Sequence, residues 1–206
     1  MLKTKIAVLV SGGGTNLQAL IDAERDGIIH SGEIALVVSN VEGAYALTRA
    51  EQANIKSCVI LKKDCADSFD FEKRIIDVLE DNGIELIVLA GFMSILSERF
   101  TSHFKNRIIN VHPSLIPSFC GKGFYGLRVH EAALEYGVKV SGATVHFVNE
   151  IPDGGKIILQ KAVDVLDTDT PETLQKRIMQ QAEWIILPKA CEMVSAEIAE
   201  SKKERV

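Results

Sequence analysis

Cysteine is scarce and dispersed in this sequence, and it has neither long apolar runs nor long basic ones. Each shortage removes a class of protein. The four cysteines, Cys58, Cys65, Cys120 and Cys191, form no CxxC pair. A disulfide framework needs more and closer thiols, so a reduced, cytoplasmic setting is expected. No apolar stretch approaches the roughly 18 residues that a membrane span requires. The N-terminal run KIAVLV stops at glycines and lacks a small-residue cleavage pattern, so it reads as a first strand and not as a signal peptide. Apart from KKER at 202–205 there is no Lys/Arg cluster, and the formal net charge is −5. A broad nucleic-acid surface is not expected, although local features can still hold a small anion. What is present is ordinary for a globular protein: 206 residues, 47% of them hydrophobic and 25% charged. That length suits one domain, and neither repeats nor linkers divide it.

KIAVLV (5–10), EIALVVSN (33–40), KSCVIL (56–61), ELIVLAG (85–91) and RIINV (107–111) are apolar runs of strand length, as in strands buried on both faces. Between them LQALIDAERDG (17–27), GAYALTRAEQA (43–53) and FDFEKRIIDVLEDNG (69–83) read as helices, the first and last ending in glycine. The alternation predicts βαβ units: a parallel sheet with helices on both faces. The pattern then changes. After a helix over 125–137, the segments 139–148 and 155–165 alternate apolar and polar residues across a short turn, which predicts an at least partly antiparallel pair. The segment 170–200 reads as one long helix or a broken pair, with Thr170 as cap, Pro171 at the first helical position and Pro188 as the kink.

SGGGTN (11–16) joins the first strand to the first helix. In a parallel α/β sheet such a turn lets the backbone approach an anion and presents helix N–H groups to it. A dinucleotide fingerprint would need Gly where Leu17 stands and an acidic residue where Ser39 and Asn40 stand, and a Walker loop would need GK[ST]. A single phosphate suits the turn better than NAD or ATP. Local sequence alone leaves a ligand-free βα turn equally open.

A second feature is IINVHPSLIP (108–117). Strand alternation puts Asn110 and His112 on one face, and Pro113 and Pro117 end the strand. Imidazole can act as a general acid or base near neutrality, and a carboxamide can donate to a developing oxyanion. IPDGG (151–155) places Asp153 before two glycines. A carboxylate against His112 would orient the ring and raise its pKa. His146, in TVHFV, reads as a hydrogen-bonded support residue. Without HxH or HExxH spacing, no His/His/carboxylate metal site is expected. His30, His103 and His130 read as solvated. AGFMSIL (90–96) is either core or the wall of a pocket for a flat heteroaromatic ligand, and nothing beside Cys120 marks it as a nucleophile.

Taken in order, SGGGTNLQALI, VLAGFMSIL, INVHPSLIP and VHFVNEIPDGGKIILQ resemble the formyltransferases that use 10-formyltetrahydrofolate, and within them the phosphoribosylglycinamide formyltransferase family of purine synthesis. The resemblance runs from about residue 5 to about residue 190. NxHPSLxP is shared across these formyltransferases, and the SGxGTNLQ turn narrows the match. The resemblance implies an α/β, Rossmann-like formyltransferase fold with a mostly parallel sheet, helices on both faces and a partly antiparallel C-terminal part. It implies a single domain, with a phosphate-binding half over about 1–106 and a catalytic and folate half over about 107–206.

It further implies roles by position. Asn110, His112 and Asp153 match the catalytic trio. Gly14, Thr15 and Asn16 match the segment that holds the substrate phosphate. Met93, Ser94, Ile95 and Leu96 match the folate-lining segment, and Asn110 also touches the folate. Ser94 and Ser68 stand where arginines are usual, so contacts to the outer end of the folate differ. Gln181-Ala182-Glu183 stands where Gln-Glu-His is usual, which shifts the ribose-binding carboxylate, Glu183, by one place. The 118–126 loop is longer than in compact members, and its Lys122 is a candidate to meet an anion.

The expected reaction is direct formyl transfer from 10-formyltetrahydrofolate to the amine of 5-phosphoribosylglycinamide, with no metal. Asn110 and protonated His112 would stabilise the oxyanion and Asp153 would assist proton transfer. Small molecules are the expected partners, with no nucleic acid or membrane, in a monomer or homodimer. Rival readings are a formyltetrahydrofolate hydrolase, which usually carries an added N-terminal regulatory domain, and a methionyl-tRNA formyltransferase, which adds a C-terminal RNA-binding domain. A non-catalytic nucleotide-binding protein on the same fold is a third, and it predicts ligand binding without turnover.

Overall fold

The computed structural model describes residues 3–203, so Glu204 and Arg205 of the KKER motif lie outside the described residues. The chain begins with β1 (Thr4–Val10), α1 (Thr15–Arg25), β2 (Gly32–Ser39), α2 (Tyr45–Gln52) and β3 (Ser57–Val59). It continues with α3 (Ser68–Asp81), β4 (Leu86–Leu89), α4 (Glu98–His103) and β5 (Ile108–His112). The last part contains α5 (Leu127–Tyr136), β6 (Val140–Phe147), β7 (Ile157–Asp164), α6 (Pro171–Ile178) and α7 (Trp184–Lys203).

The strands form one sheet in the order β3-β2-β1-β4-β5-β6-β7. Pairs from β3 to β5 are parallel, while β5–β6 and β6–β7 are antiparallel. The fold is thus the mostly parallel α/β sheet expected, antiparallel at its C-terminal end. Strand alternation divides the core in two. Ile6, Val8 and Val10 pack with Leu17 and Leu20 of α1, Ala46 of α2 and Leu187 of α7. Ala7 and Leu9 face the other way, against Phe71 and Ile75 of α3 and Phe100 of α4. Both faces of β1 are therefore apolar, which is why it reads as an unbroken hydrophobic run.

Side chains cap the starts of three helices, α3, α4 and α6. Asp67 caps α3 by accepting the Asp70 N–H at 2.8 Å. Thr170 and Thr173 cap α6 reciprocally, with Pro171 in its first turn. Three features differ from the sequence reading. Helix α1 starts at Thr15, two residues early, because Gly14 takes a left-handed conformation (φ 70°) and turns the chain at once. Helix α4 (ERFTSH) was not expected; it is short and polar, capped by Ser97. The long C-terminal segment breaks at a π-helical turn over Met179–Glu183, ahead of Pro188, which lies inside α7. Pro188 lacks the N–H that a regular helix would donate to residue 184, and the π turn precedes that gap. No helix among the described residues is long and apolar enough to cross a membrane.

Strand order reverses between β1 and β4: the chain builds outward to β3 on one side and to β7 on the other. Ligands of open α/β sheets bind at the carboxyl ends of the strands flanking such a reversal.

Candidate active site

A cleft of about 830 Å³ opens at this place. The chain reaches it after β1 with Thr15 and Asn16, after β4 with Met93, Ser94 and Ile95, and at β5 with Asn110 and His112. The turn after β6 adds Asp153, and the π turn adds Glu183.

Antiparallel register assembles the polar group. Asn110 pairs with His146 across β5 and β6, so both side chains emerge on one face. Asn110 Nδ2 lies 3.2 Å from His146 Nε2. His146 Nδ1 lies 2.8 Å from the Phe147 carbonyl, which can only accept, so the proton of a neutral ring sits on Nδ1 and Nε2 accepts from Asn110. By the same argument His112 Nε2 donates to the Phe119 carbonyl at 2.9 Å. This leaves His112 Nδ1 facing Asp153 Oδ2 at 3.5 Å, while Asp153 Oδ1 lies 3.6 Å from His146 Nε2. One carboxylate thus sits against both rings.

Asp153 is delivered by a tight turn. Pro152 and Asp153 are its central residues, the Gly154 N–H closes it onto the Ile151 carbonyl at 2.9 Å, and Asp153 takes a left-handed φ of 57°. Aspartate tolerates that conformation better than most residues. A Cβ on Gly155 would lie 1.7 Å from the Phe147 carbonyl oxygen, so only glycine fits beside β6. The Gly121 N–H donates to Asp153 Oδ2 at 2.8 Å. The 118–126 loop therefore grips both candidate residues, His112 through the Phe119 carbonyl and Asp153 through the Gly121 amide. The sequence reading missed both contacts, because backbone groups leave no signature in the residue types.

Burial sets the charges. His112 is only 4% exposed, and burial pulls its pKa below the ordinary value; Asp153 and the Phe119 carbonyl push it up but do not compensate. The expected upward effect of Asp153 is present, but burial outweighs it. Burial pushes the Asp153 carboxyl up, yet His146, His112 and the Gly121 N–H together hold it below the usual carboxylate range. A neutral imidazole thus faces an ionised carboxylate.

At the other end of the cleft, Gly14 forms the N-cap of α1 with no side-chain cap bond, and it packs on α2 instead of lining the cleft. Thr15 and Asn16 do line it. Asn16 Nδ2 donates to Glu183 Oε2 at 2.7 Å. Glu183 is 6% exposed, and burial raises its pKa against the Asn16 hydrogen bond. Despite its shift in sequence, the Glu183 carboxylate lies within the cleft.

Met93 and Ile95 stand 60% and 75% exposed on the cleft wall. Leu96 turns into the core with α3 and α4 and reaches only a 130 Å³ side pocket behind Asn110. Ser94 is tied to the glycine turn: Asn40 Nδ2 donates to its Oγ at 3.0 Å, Ser11 Oγ donates to Asn40 at 2.7 Å, and the Met93 N–H donates to Ser11 Oγ at 2.8 Å. Ser68 opens α3 and does not line the cleft, whereas Lys122 does. Phe92, within the AGFMSIL segment read as a possible wall, also lines it, and so do Tyr125, Gln175 and Met179, which were not anticipated. Tyr125 is an aromatic among glycines, the only signal that marked it.

His130 departs from the sequence reading. It was read as solvated, but it is 0% exposed on α5, with neither ring nitrogen hydrogen-bonded, and burial pulls its pKa down to about 4. His30 and His103 are exposed and lie beside Glu192 and Glu80, at 3.0 and 2.8 Å. No group of three or more His, Cys, Asp or Glu side chains among the described residues is arranged to hold a metal ion.

A cleft at the strand reversal, a glycine turn at one end and an Asn/His/Asp group at the other are the features of one enzyme class. The formyl transferase family model matches residues 4–191, and the chain belongs to that family. Its relatives are more specific. It is 45% identical to phosphoribosylglycinamide formyltransferase of Haemophilus influenzae over 184 residues, 89% of this chain and 84% of that one. It is also 45% identical over 194 residues to the trifunctional purine biosynthetic protein adenosine-3 of Gallus gallus, covering 94% of this chain but only 19% of that much longer protein. The crystal structure of glycinamide ribonucleotide transformylase 1 from Symbiobacterium toebii superposes with a TM-score of 0.88 at 41% identity, over 97% of this chain and 89% of that one.

Proposed function

We propose that this chain transfers the formyl group of 10-formyltetrahydrofolate to the amine of 5-phosphoribosylglycinamide, the step carried by its relatives in purine biosynthesis. One observation supports the reading most: a single cleft holds both Thr15 and Asn16, where the glycine turn enters α1, and the Asn110, His112 and Asp153 side chains. In this reading Thr15, Asn16 and Gly14 hold the phosphate and Glu183 meets the ribose. Met93, Ser94 and Ile95 line the folate side, with Leu96 behind them. These walls fit a flat heteroaromatic group: apolar side chains with one polar edge at Asn110. The N-terminal half, about 1–106, carries the phosphate, and the half from about 107 carries the chemistry. The setting is cytoplasmic.

The chemistry follows from the charges. The neutral amine attacks the formyl carbon, forming a C–N bond while the carbonyl electron pair moves to oxygen. Asn110 donates one Nδ2 hydrogen to His146 and has a second for the oxyanion. Resting His112 is neutral and its unprotonated Nδ1 takes a proton from the new ammonium. Asp153 steadies the resulting imidazolium, and the ring then delivers that proton to the leaving folate nitrogen as the old C–N bond breaks. His112 thus begins as a base and finishes as an acid.

The deciding measurement follows deformylated folate and formylated product together, with and without the ribonucleotide. One-for-one product that requires the ribonucleotide is expected. Deformylation without an acceptor would assign a hydrolase instead, and folate binding without turnover would assign a binding protein.

A further inference from the structure

The glycine turn is held from behind by α2. The Gly12 carbonyl accepts the Ala46 N–H at 3.1 Å, the Gly13 carbonyl accepts Arg49 Nε at 2.9 Å, and the Gly14 carbonyl accepts the Gln18 N–H at 2.9 Å. The N–H groups of residues 12–16, by contrast, find no acceptor among the described residues. In a trans peptide, a carbonyl drawn to one side turns the next N–H to the other. With the Gly12 and Gly13 carbonyls drawn toward α2, the Gly13 and Gly14 N–H groups point away from it. Successive free amides of this kind make a cradle for an anion.

Of the three donors that set the turn, Arg49 is the only side chain. Ala46 and Gln18 act through backbone amides that their helices hold in place. The guanidinium is itself oriented: Nη1 donates to Gln18 Oε1 at 2.9 Å, and Cζ lies 4.9 Å from the centre of the Tyr45 ring. Arg49 does not line the main cleft; it borders a 210 Å³ pocket that Thr15 also lines.

We propose that Arg49 is a positioning residue for the substrate phosphate. It fixes the Gly13–Gly14 peptide so that the amide faces the anion, and it adds positive charge from behind the turn. The inference rests on the reading that this turn binds the phosphate of 5-phosphoribosylglycinamide. Glycines carry no Cβ to resist rotation, so without Arg49 the Gly13 peptide can turn its oxygen toward the phosphate.

The test compares 5-phosphoribosylglycinamide with its riboside, which lacks the phosphate, in wild type, Arg49→Ala and Arg49→Lys. Wild type should prefer the phosphorylated acceptor in kcat/KM. No preference would overturn the phosphate reading, and the inference with it. Given the preference, Arg49→Ala should raise KM for the ribonucleotide roughly ten- to a hundredfold, the loss of one or two charge-assisted hydrogen bonds, and narrow the preference by the same factor. Arg49→Lys, which keeps the charge and a donor, should recover part of it. A preference as wide in Arg49→Ala as in wild type would overturn the role of Arg49 while leaving the phosphate reading standing. So would an equal loss with both acceptors, which would make the residue a general support of the fold.

Discussion

The two ends of the cleft are built from different materials. The glycine turn after β1 offers mainly backbone: unpaired amides, with Gly14 where a side chain would collide with α2. The β5–β6 end offers side chains, Asn110, His112, His146 and Asp153, with backbone groups from Phe119 and Gly121 holding them. The difference teaches how each end can fail. A backbone site is lost through conformation, whereas a side-chain site is lost through deletion or a changed charge.

The largest expected effects break the side-chain end. Asn110→Ala and His112→Ala should each lower turnover about 10²- to 10³-fold while circular dichroism and thermal melting stay near wild type; wild-type turnover in either would remove its assigned role. Asp153→Asn should lower turnover and also move the acid limb of the kcat/KM profile to lower pH. The sign follows from the geometry: Asp153 raises the His112 pKa, so removing its charge lets burial pull that pKa further down. A limb that stays in place would separate Asp153 from the ring.

The backbone end responds to conformation. Gly14 has φ +70°, and an added Cβ would lie 2.7 Å from Ala46, while Gly13 has open space. Gly14→Ala should cost at least about 1–2 kcal/mol in urea unfolding from the left-handed backbone alone, and Gly13→Ala within about 0.5 kcal/mol. Equal costs would mean that α2 does not shape the turn.

A separate effect, on stability and not on turnover, concerns His130, which belongs to neither end. Folded His130 stays neutral down to about pH 4, while the unfolded chain takes up its proton near pH 6.5. Stability therefore falls as pH falls through that window, by about 3 kcal/mol from this residue. His130→Phe should flatten that part of the slope. An unchanged slope would show that the ring is not held neutral.

Much of this was legible in the sequence, and the limits have physical causes. Continuous apolar runs gave β1, β2, β4 and β5 because both faces of those strands are covered; β3, at the sheet edge, is short and largely exposed. The period-two alternation of Asn110 and His112 put them on one face correctly. What stayed hidden depends on register and burial. Nothing local says that Asn110 pairs with His146, or that Asp153 is carried back to His112 by a turn about 40 residues later. The π turn that carries Glu183 has no marker except a downstream proline. Arg49 reads as an ordinary helix cation until the Gly13 carbonyl is found against it. His130 has a polar side chain on a buried helix face, and residue type argued for the surface.

The pairing of β5 with β6 acts as a reading frame for the chemistry. Asn110 meets His146 and His112 meets Thr144 because the two strands are in one phase. Sliding β6 by a single residue would set Val145 beside Asn110 and send His146 to the opposite layer, with every strand still paired. A one-residue insertion or deletion near β6 can then silence the enzyme while leaving a folded sheet. Length changes are tolerated only where the turns at 137–139 and 148–156 absorb them before that phase is set.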